Sequence, residues 1–161
     1  MTYITSRPYP YLPKGRKIKY VPAENQFMME AEKVCKHDST ESMHSTGAVI
    51  VKDGVIIGKG ANQAALKSSA LKELHKKFCI RRFLKIPSGQ KYWLCPGCAQ
   101  PGSHAEPRAV KDALKKAPSI VGSDIYLYGH WWCCEPCWDK MIAAGINNVY
   151  LVEGATELFG R

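Results

Sequence analysis

His104-Ala105-Glu106 and, further along, Cys134-Glu135-Pro136-Cys137 are the two stretches from which the chain is read. One histidine and two cysteines are soft or borderline donors. They are the set a catalytic zinc uses when it keeps its fourth position open for water. Glu106 stands two residues from the histidine, close enough to reach that water without being a ligand. A lone H-x-E or a lone C-x-x-C would mean little. Both together, in this order, with a helix and a strand's worth of chain between them, predict one site. Its ligands are His104, Cys134 and Cys137, and its acid–base group is Glu106.

This order resembles the zinc-dependent cytidine and deoxycytidylate deaminase superfamily, closest to its deoxycytidylate group. The likeness continues in Arg108-Ala109-Val110 after the glutamate. It also includes Met141-Ile142-Ala143-Ala144-Gly145-Ile146 after the second cysteine. It implies an α/β fold, a three-layer α/β/α sandwich on a mixed sheet of four to five strands. The chain departs from the family at Cys133, where a proline usually precedes the first cysteine. Either Cys133 or Cys134 could pair with Cys137. Cys134 keeps the two-residue spacing and the alignment of Gly145, which leaves Cys133 a spare thiol or an alternative ligand.

A length of 161 residues is most simply one domain, 1–161, with a core of its own. No apolar run of 18 residues occurs, so a membrane-spanning helix is excluded. The N-terminus has no apolar stretch of the secretory kind. Seven cysteines, several paired near histidines, point to metal binding in a reducing compartment, so a cytoplasmic location is expected. The net charge of +9 is uneven: +4 in residues 1–24, +7 in 63–103, and −1 in each remaining segment. The excess therefore sits in an arm and an insertion. Such segments attract phosphates, or merely solubilise a surface.

Residues 1–24 hold Tyr3, Tyr9, Tyr11 and Tyr20 among Pro8, Pro10, Pro13 and Pro22. That density of proline predicts an extended arm, packed on the domain or on a neighbouring subunit, or a tail. A helix is expected from about Asn25 to His37, with Cys35 as a buried hydrophobe. His37 and His44 read as surface histidines. Gly47 to Lys52 and Val55 to Gly60 flank Asp53-Gly54 and predict a hairpin with a type I′ turn. By resemblance, Asn62 at its end would hydrogen-bond the substrate's sugar or base.

Residues 63–103 read as an insertion. Leu66 to about Leu84 predicts one helix with an apolar stripe of Leu71, Leu74 and Phe78. His75 and Cys79 would share a face of it. With Cys95 and Cys98 they make four donors for a closed tetrahedral zinc, a second and structural site. A further helix is expected to start at the signature, with Ser103 as N-cap and Glu106 completing a capping box. Its Ala109, Val110, Ala113 and Leu114 should face the sheet. Strands are expected at 124–128 and 148–152, and a helix from Glu135 to Ala144 ending at Gly145. Only nine residues follow the last strand. A fifth strand would then be missing, very short, or supplied by the arm or a partner chain.

The resemblance implies hydrolytic deamination of a cytosine nucleotide, dCMP to dUMP, with Glu106 moving the protons. Ala105, His130, Trp131 and Trp132 would meet the base, and Arg108, Arg81 and Arg82 are candidate phosphate contacts. The expected partners are a small pyrimidine nucleotide and further copies of the chain, a homo-oligomer, with no membrane. Two other readings stand beside it. One is a nucleic-acid deaminase like the tRNA adenosine enzymes, favoured by charge. Against it, Trp132 stands where those enzymes carry a glutamate, and they extend well past the last strand. The other is a non-catalytic zinc-stabilised module that binds nucleic acid, which would have no use for Glu106.

Overall fold

The computed structural model describes residues 10–160. Its elements in chain order are β1 (Ile18–Val21), α1 (Gln26–Asp38), β2 (Gly47–Lys52), β3 (Val55–Ala61), α2 (Ser69–Lys77), α3 (Ile80–Phe83), α4 (Ala105–Lys116), β4 (Asp124–Tyr128), α5 (Glu135–Ala143), β5 (Val149–Val152) and α6 (Ala155–Phe159). Single 3-10 turns occupy Tyr92–Leu94 and Pro101–Ser103. No described helix is long and apolar enough to cross a membrane.

The hairpin forms as expected. Asp53 and Gly54 both take positive φ, 51° and 77°, as a type I′ turn requires. β2 pairs antiparallel with β3 on one edge and with β4 on the other. β4 and β5 are parallel, joined across α5. The sheet order is β1-β5-β4-β2-β3.

The fifth strand comes from the arm: Ile18–Val21 pairs parallel with Val149–Val152. It is an edge strand that ends at Pro22, where a missing N–H costs no ladder bond. Arg16 pins its approach by donating from Nη1 to the carbonyls of Ile146 at 2.9 Å and Asn147 at 3.0 Å. From residue 10 onward the arm thus packs on its own sheet. Its earlier part, with Tyr3, Pro8 and Tyr9, lies outside the described residues.

Three glycines set the layers. A Cβ on Gly47 would lie 2.4 Å from the carbonyl of Ala31 in α1. One on Gly60 would lie 2.3 Å from the backbone N of Ala109 in α4, and one on Gly58 2.6 Å from its carbonyl oxygen. Gly47 pairs with Ala61 and Gly60 with Ala48, and adjacent residues point to opposite faces. So α1 and α4 cover opposite sides of the sheet, in the α/β/α order expected. Val49, Ile50, Ile125, Leu127, Val149 and Leu151 fill the space between them and are fully buried. At the sheet's rim the carboxylate of Asp112 accepts from the backbone N–H of Lys59 at 2.9 Å.

Several expectations are corrected. The helix expected over 66–84 is two short ones, broken where Phe78 and Cys79 turn extended. Its stripe of Leu71, Leu74 and Phe78 is exposed, because no sheet lies under it. Leu114 is also exposed. Ser103 lies in a 3-10 turn, His104 is the N-cap of α4, and no side-chain cap bond forms. The capping box therefore does not account for Glu106. A final helix, α6, follows β5 within the few residues left.

Gly60→Ala should push α4 off β3 and lower stability by about 1–3 kcal/mol. A urea midpoint unchanged from that of the parent chain would contradict the close approach described.

Candidate active site

Two helix N-termini meet at one point. His104 is the N-cap of α4 and Cys134 the N-cap of α5, with Pro136 in the first turn. The Nδ1 of His104 lies 3.5 Å from the sulfur of Cys134 and 3.4 Å from that of Cys137. Zinc bonds of ordinary length at a tetrahedral angle separate sulfur and nitrogen by about 3.5 Å. The donor set and its N–S spacing therefore fit that metal. The two sulfurs, 3.1 Å apart, are closer than the roughly 3.8 Å such bonds imply. His104 points Nε2 at the carbonyl of Ala99 at 3.3 Å, which leaves Nδ1 for a metal. The Cys134 thiol is held down to about 5 by its hydrogen bond with Cys137 and, against burial, by His104. A thiolate is the form that binds a metal.

Glu106 is buried beside this cluster, on the wall of the same cavity as His104 and Cys134. Burial, and then the Cys134 sulfur, push that carboxyl above the usual range. Cys133 is buried beside it and is not part of the donor cluster. Of the two open pairings, the structure brings together Cys134 and Cys137.

A second cluster forms in the insertion. The Cys98 sulfur lies 3.7 Å from His75 Nε2 and 3.6 Å from the Cys79 sulfur, which is 3.9 Å from that of Cys95. These spacings fit a closed tetrahedral set. His75 and Cys79 converge although they do not share a helix: His75 sits in α2 and Cys79 is the N-cap of α3. Burial pushes the Cys79 thiol up, but the Arg82 backbone N–H and the neighbouring Cys98, His75 and Cys95 hold it down to about 6. The His75 ring lies against Gly97, where a Cβ would come within 2.3 Å of it.

One cavity of about 530 Å³ reaches both clusters. His104, Glu106 and Cys134 line it on one side and His75, Cys79 and Cys98 on the other. Of the expected substrate contacts, Asn62, Ala105, His130, Trp132, Arg81 and Arg82 line it. Trp131 does not; it packs on the cluster of Trp132, Cys134 and Cys137 instead. Arg108 does not either, since it lies on the exposed side of α4. The Asn62 amide is engaged within the wall. Its Oδ1 accepts from Ser39 at 2.6 Å and from the Thr46 N–H at 2.9 Å, and its Nδ2 donates to the His44 carbonyl at 2.7 Å.

Sequence reasoning missed Lys85 and Tyr92, both in the wall, and treated His44, also in the wall, as a surface residue. No spacing marks them: Lys85 and Tyr92 arrive through the broken helix and the turn after it, and His44 through the loop before β2.

Residues 22–153 match the family described as cytidine and deoxycytidylate deaminase zinc-binding region. A dCMP deaminase from the cyanophage S-TIM5, solved in complex with dCMP and dUMP, is 25% identical with a TM-score of 0.51. That likeness covers 81% of this chain and 82% of the phage chain. A diaminohydroxyphosphoribosylaminopyrimidine deaminase and reductase from Thermotoga maritima is 24% identical at a TM-score of 0.46. It covers 78% of this chain, which spans only 28% of that protein's length. A guanine deaminase from Bacillus subtilis is 20% identical at 0.45, covering 83% of this chain and 68% of that one. Neither of these last two likenesses bears on substrate. A comparison with curated proteins found no match.

Gly97→Ala should drive the His75 ring out of its cluster. Cobalt substitution should then show a changed insertion-site absorption band; an unchanged spectrum would contradict the packing.

Proposed function

The chain belongs to the family of the cytidine and deoxycytidylate deaminase zinc-binding region. From that premise we propose that it hydrolyses the exocyclic amine of a cytosine nucleotide, taking dCMP to dUMP and ammonia. The observation that carries this reading is the meeting of one imidazole and two thiols in a cluster whose His104 and Cys134, with the buried carboxyl of Glu106, line a single cavity. The cavity's size suits a nucleotide. The phage relative, with dCMP and dUMP bound, supports the choice of base and sugar.

His104, Cys134 and Cys137 are assigned as the ligands of the catalytic zinc. When bound, that ion supplies the Lewis acidity that lowers the pKa of a water from 15.7 to about 7. The protein's own groups do the rest. The carbonyl of Ala99 fixes the orientation of His104. The N-termini of α4 and α5 aim backbone N–H groups at the point where negative charge develops. Glu106 takes a proton from the attacking water as its oxygen bonds to C4, and hands it to ring N3. It then carries the second proton to the amine, whose bond to C4 breaks to release ammonia. Trp132 and His130 offer ring surfaces against which a pyrimidine stacks. Arg82 and Lys85, on the same cavity wall, suit a 5′-phosphate.

His75, Cys79, Cys95 and Cys98 are assigned to a second, structural zinc. The exposed Leu74, Phe78, Phe83 and Trp93 of the insertion support association of several copies of the chain.

Absorbance assays on dCMP, cytidine and a short single-stranded oligonucleotide test the reading: turnover of the free nucleotide is expected, and tight oligonucleotide binding without turnover overturns it. Glu106→Gln should keep its zinc yet lose about a hundred- to ten-thousand-fold in kcat; full activity in that variant would remove Glu106 from the mechanism. Lys85→Ala should raise KM for dCMP by about ten-fold while leaving deoxycytidine little changed. An equal effect on both substrates would remove Lys85 as the phosphate contact.

A further inference from the structure

The insertion lacks the means to hold its own shape. Neither α2 nor α3 buries a single residue. Its one compact group is Cys79, Cys95 and Cys98, with Ile80 and Tyr92 packed against them. Yet this segment forms a wall of the catalytic cavity and touches its metal ligands at several points.

Two of those contacts fall on the ring of His104. Ala99, the residue after Cys98, presents its carbonyl to His104 Nε2 at 3.3 Å. Tyr92 packs edge-on against the imidazole, with ring centroids 5.0 Å apart at 77°. Tyr92 is in turn held by Arg81, whose guanidinium lies 4.3 Å from its ring centroid. Arg81 donates from Nη1 to the Cys98 sulfur at 3.5 Å, from Nε to the Gln90 carbonyl at 2.9 Å and from Nη2 to the Pro87 carbonyl at 3.1 Å. The Tyr92 hydroxyl accepts from the Gly89 N–H at 3.1 Å. Gly89 sits so close to the other side of the site that a Cβ there would lie 2.4 Å from the Trp132 ring and 3.3 Å from the Cys134 Cβ. A continuous path of contacts therefore runs from the insertion's sulfurs to the imidazole of the other cluster.

We propose that the insertion's metal cluster positions His104, so that the two sites bind their ions cooperatively, with Arg81 and Tyr92 as the positioning residues between them. This rests on the reading above that both clusters take zinc. A metal at His75, Cys79, Cys95 and Cys98 fixes where Ala99, Arg81 and Tyr92 stand. Those groups fix the tautomer and the angle of the His104 ring. Partners that orient a ligating histidine in this way contribute about ten- to a hundred-fold to metal affinity. Coupling of two binding sites is also reciprocal, so each ion must favour the other by the same factor.

The test uses the full chain, stripped of metal and titrated with zinc and with cobalt against a chromophoric chelator. The cobalt bands of a three-sulfur and a two-sulfur site separate the two clusters. Cys95→Ser, which breaks the insertion site, should weaken binding at the His104 site by about ten-fold or more. Cys137→Ser should weaken the insertion site by a similar factor. Arg81→Gln and Tyr92→Leu keep all seven ligands and should still lose affinity at the His104 site. Tyr92→Phe, which keeps the ring, should bind as the parent does. An insertion cluster that takes no metal overturns the proposal, as does unchanged affinity at the His104 site in Cys95→Ser. Should Cys95→Ser not fold, unchanged affinity in both folded Arg81→Gln and Tyr92→Leu overturns it equally. A chain with coupled ions that deaminates no base keeps this inference and removes the enzymatic one. A deaminase with independent ions does the reverse.

Discussion

The structure depends on two helices whose N-cap side chains meet at one point. His104 and Cys134 each cap a helix, and their ligand atoms lie 3.5 Å apart. Two helices whose positive dipole ends face one another repel unless negative charge sits between them. The Cys134 thiolate is the group placed there. The rest of the fold serves this meeting. β4 and β5 run parallel so that α5 returns over the face carrying α4, and Gly58 and Gly60 let α4 lie directly on β3. A larger residue at either glycine would move the helix that carries the histidine.

Much of this was legible from residue types at short range. The signature named the residues that cluster, and Asp53-Gly54 named the hairpin, because each is marked by short motifs of residue types. The fifth strand was legible only as one of several alternatives, with the arm among its possible sources and no residues marked for it. Ile18–Val21 has no alternation to mark it and lies between prolines, and an edge strand with one neighbour tolerates that. The insertion was misread for a different reason. Helical spacing joined His75 to Cys79, but a ligand set that must close around a point outweighs a weak local preference for helix. The chain breaks at Phe78, turns Cys79 inward and leaves the apolar stripe outside. Trp131 was assigned to the substrate from the loop that the family resemblance implies, and Arg108 from its positive charge. Direction decided otherwise, since neighbours along a turn or helix point to different sides.

The insertion also changes what kind of cavity this is. The sheet and its helices supply one wall, rigid because it is part of the core. The facing wall comes from a basic segment held by sulfur and imidazole, with cations set among exposed aromatic side chains. Trp132 and Glu106 stand on the first wall, and Arg82 and Lys85 on the second. In the function proposed, the base and what is attached to it would meet parts of the chain with different sources of stability.

The contact between Asp112 and Lys59 has a meaning for assembly. A strand at the rim of a sheet offers its amides to any other strand that drifts by, which is how soluble proteins grow into aggregates. Here a carboxylate from the covering helix already occupies one of those amides. A second molecule seeking to extend the sheet past β3 would have to evict a charged group that Lys116 also holds, at 2.6 Å. Copies of this chain are therefore steered away from backbone pairing along that border and toward contacts made by side chains.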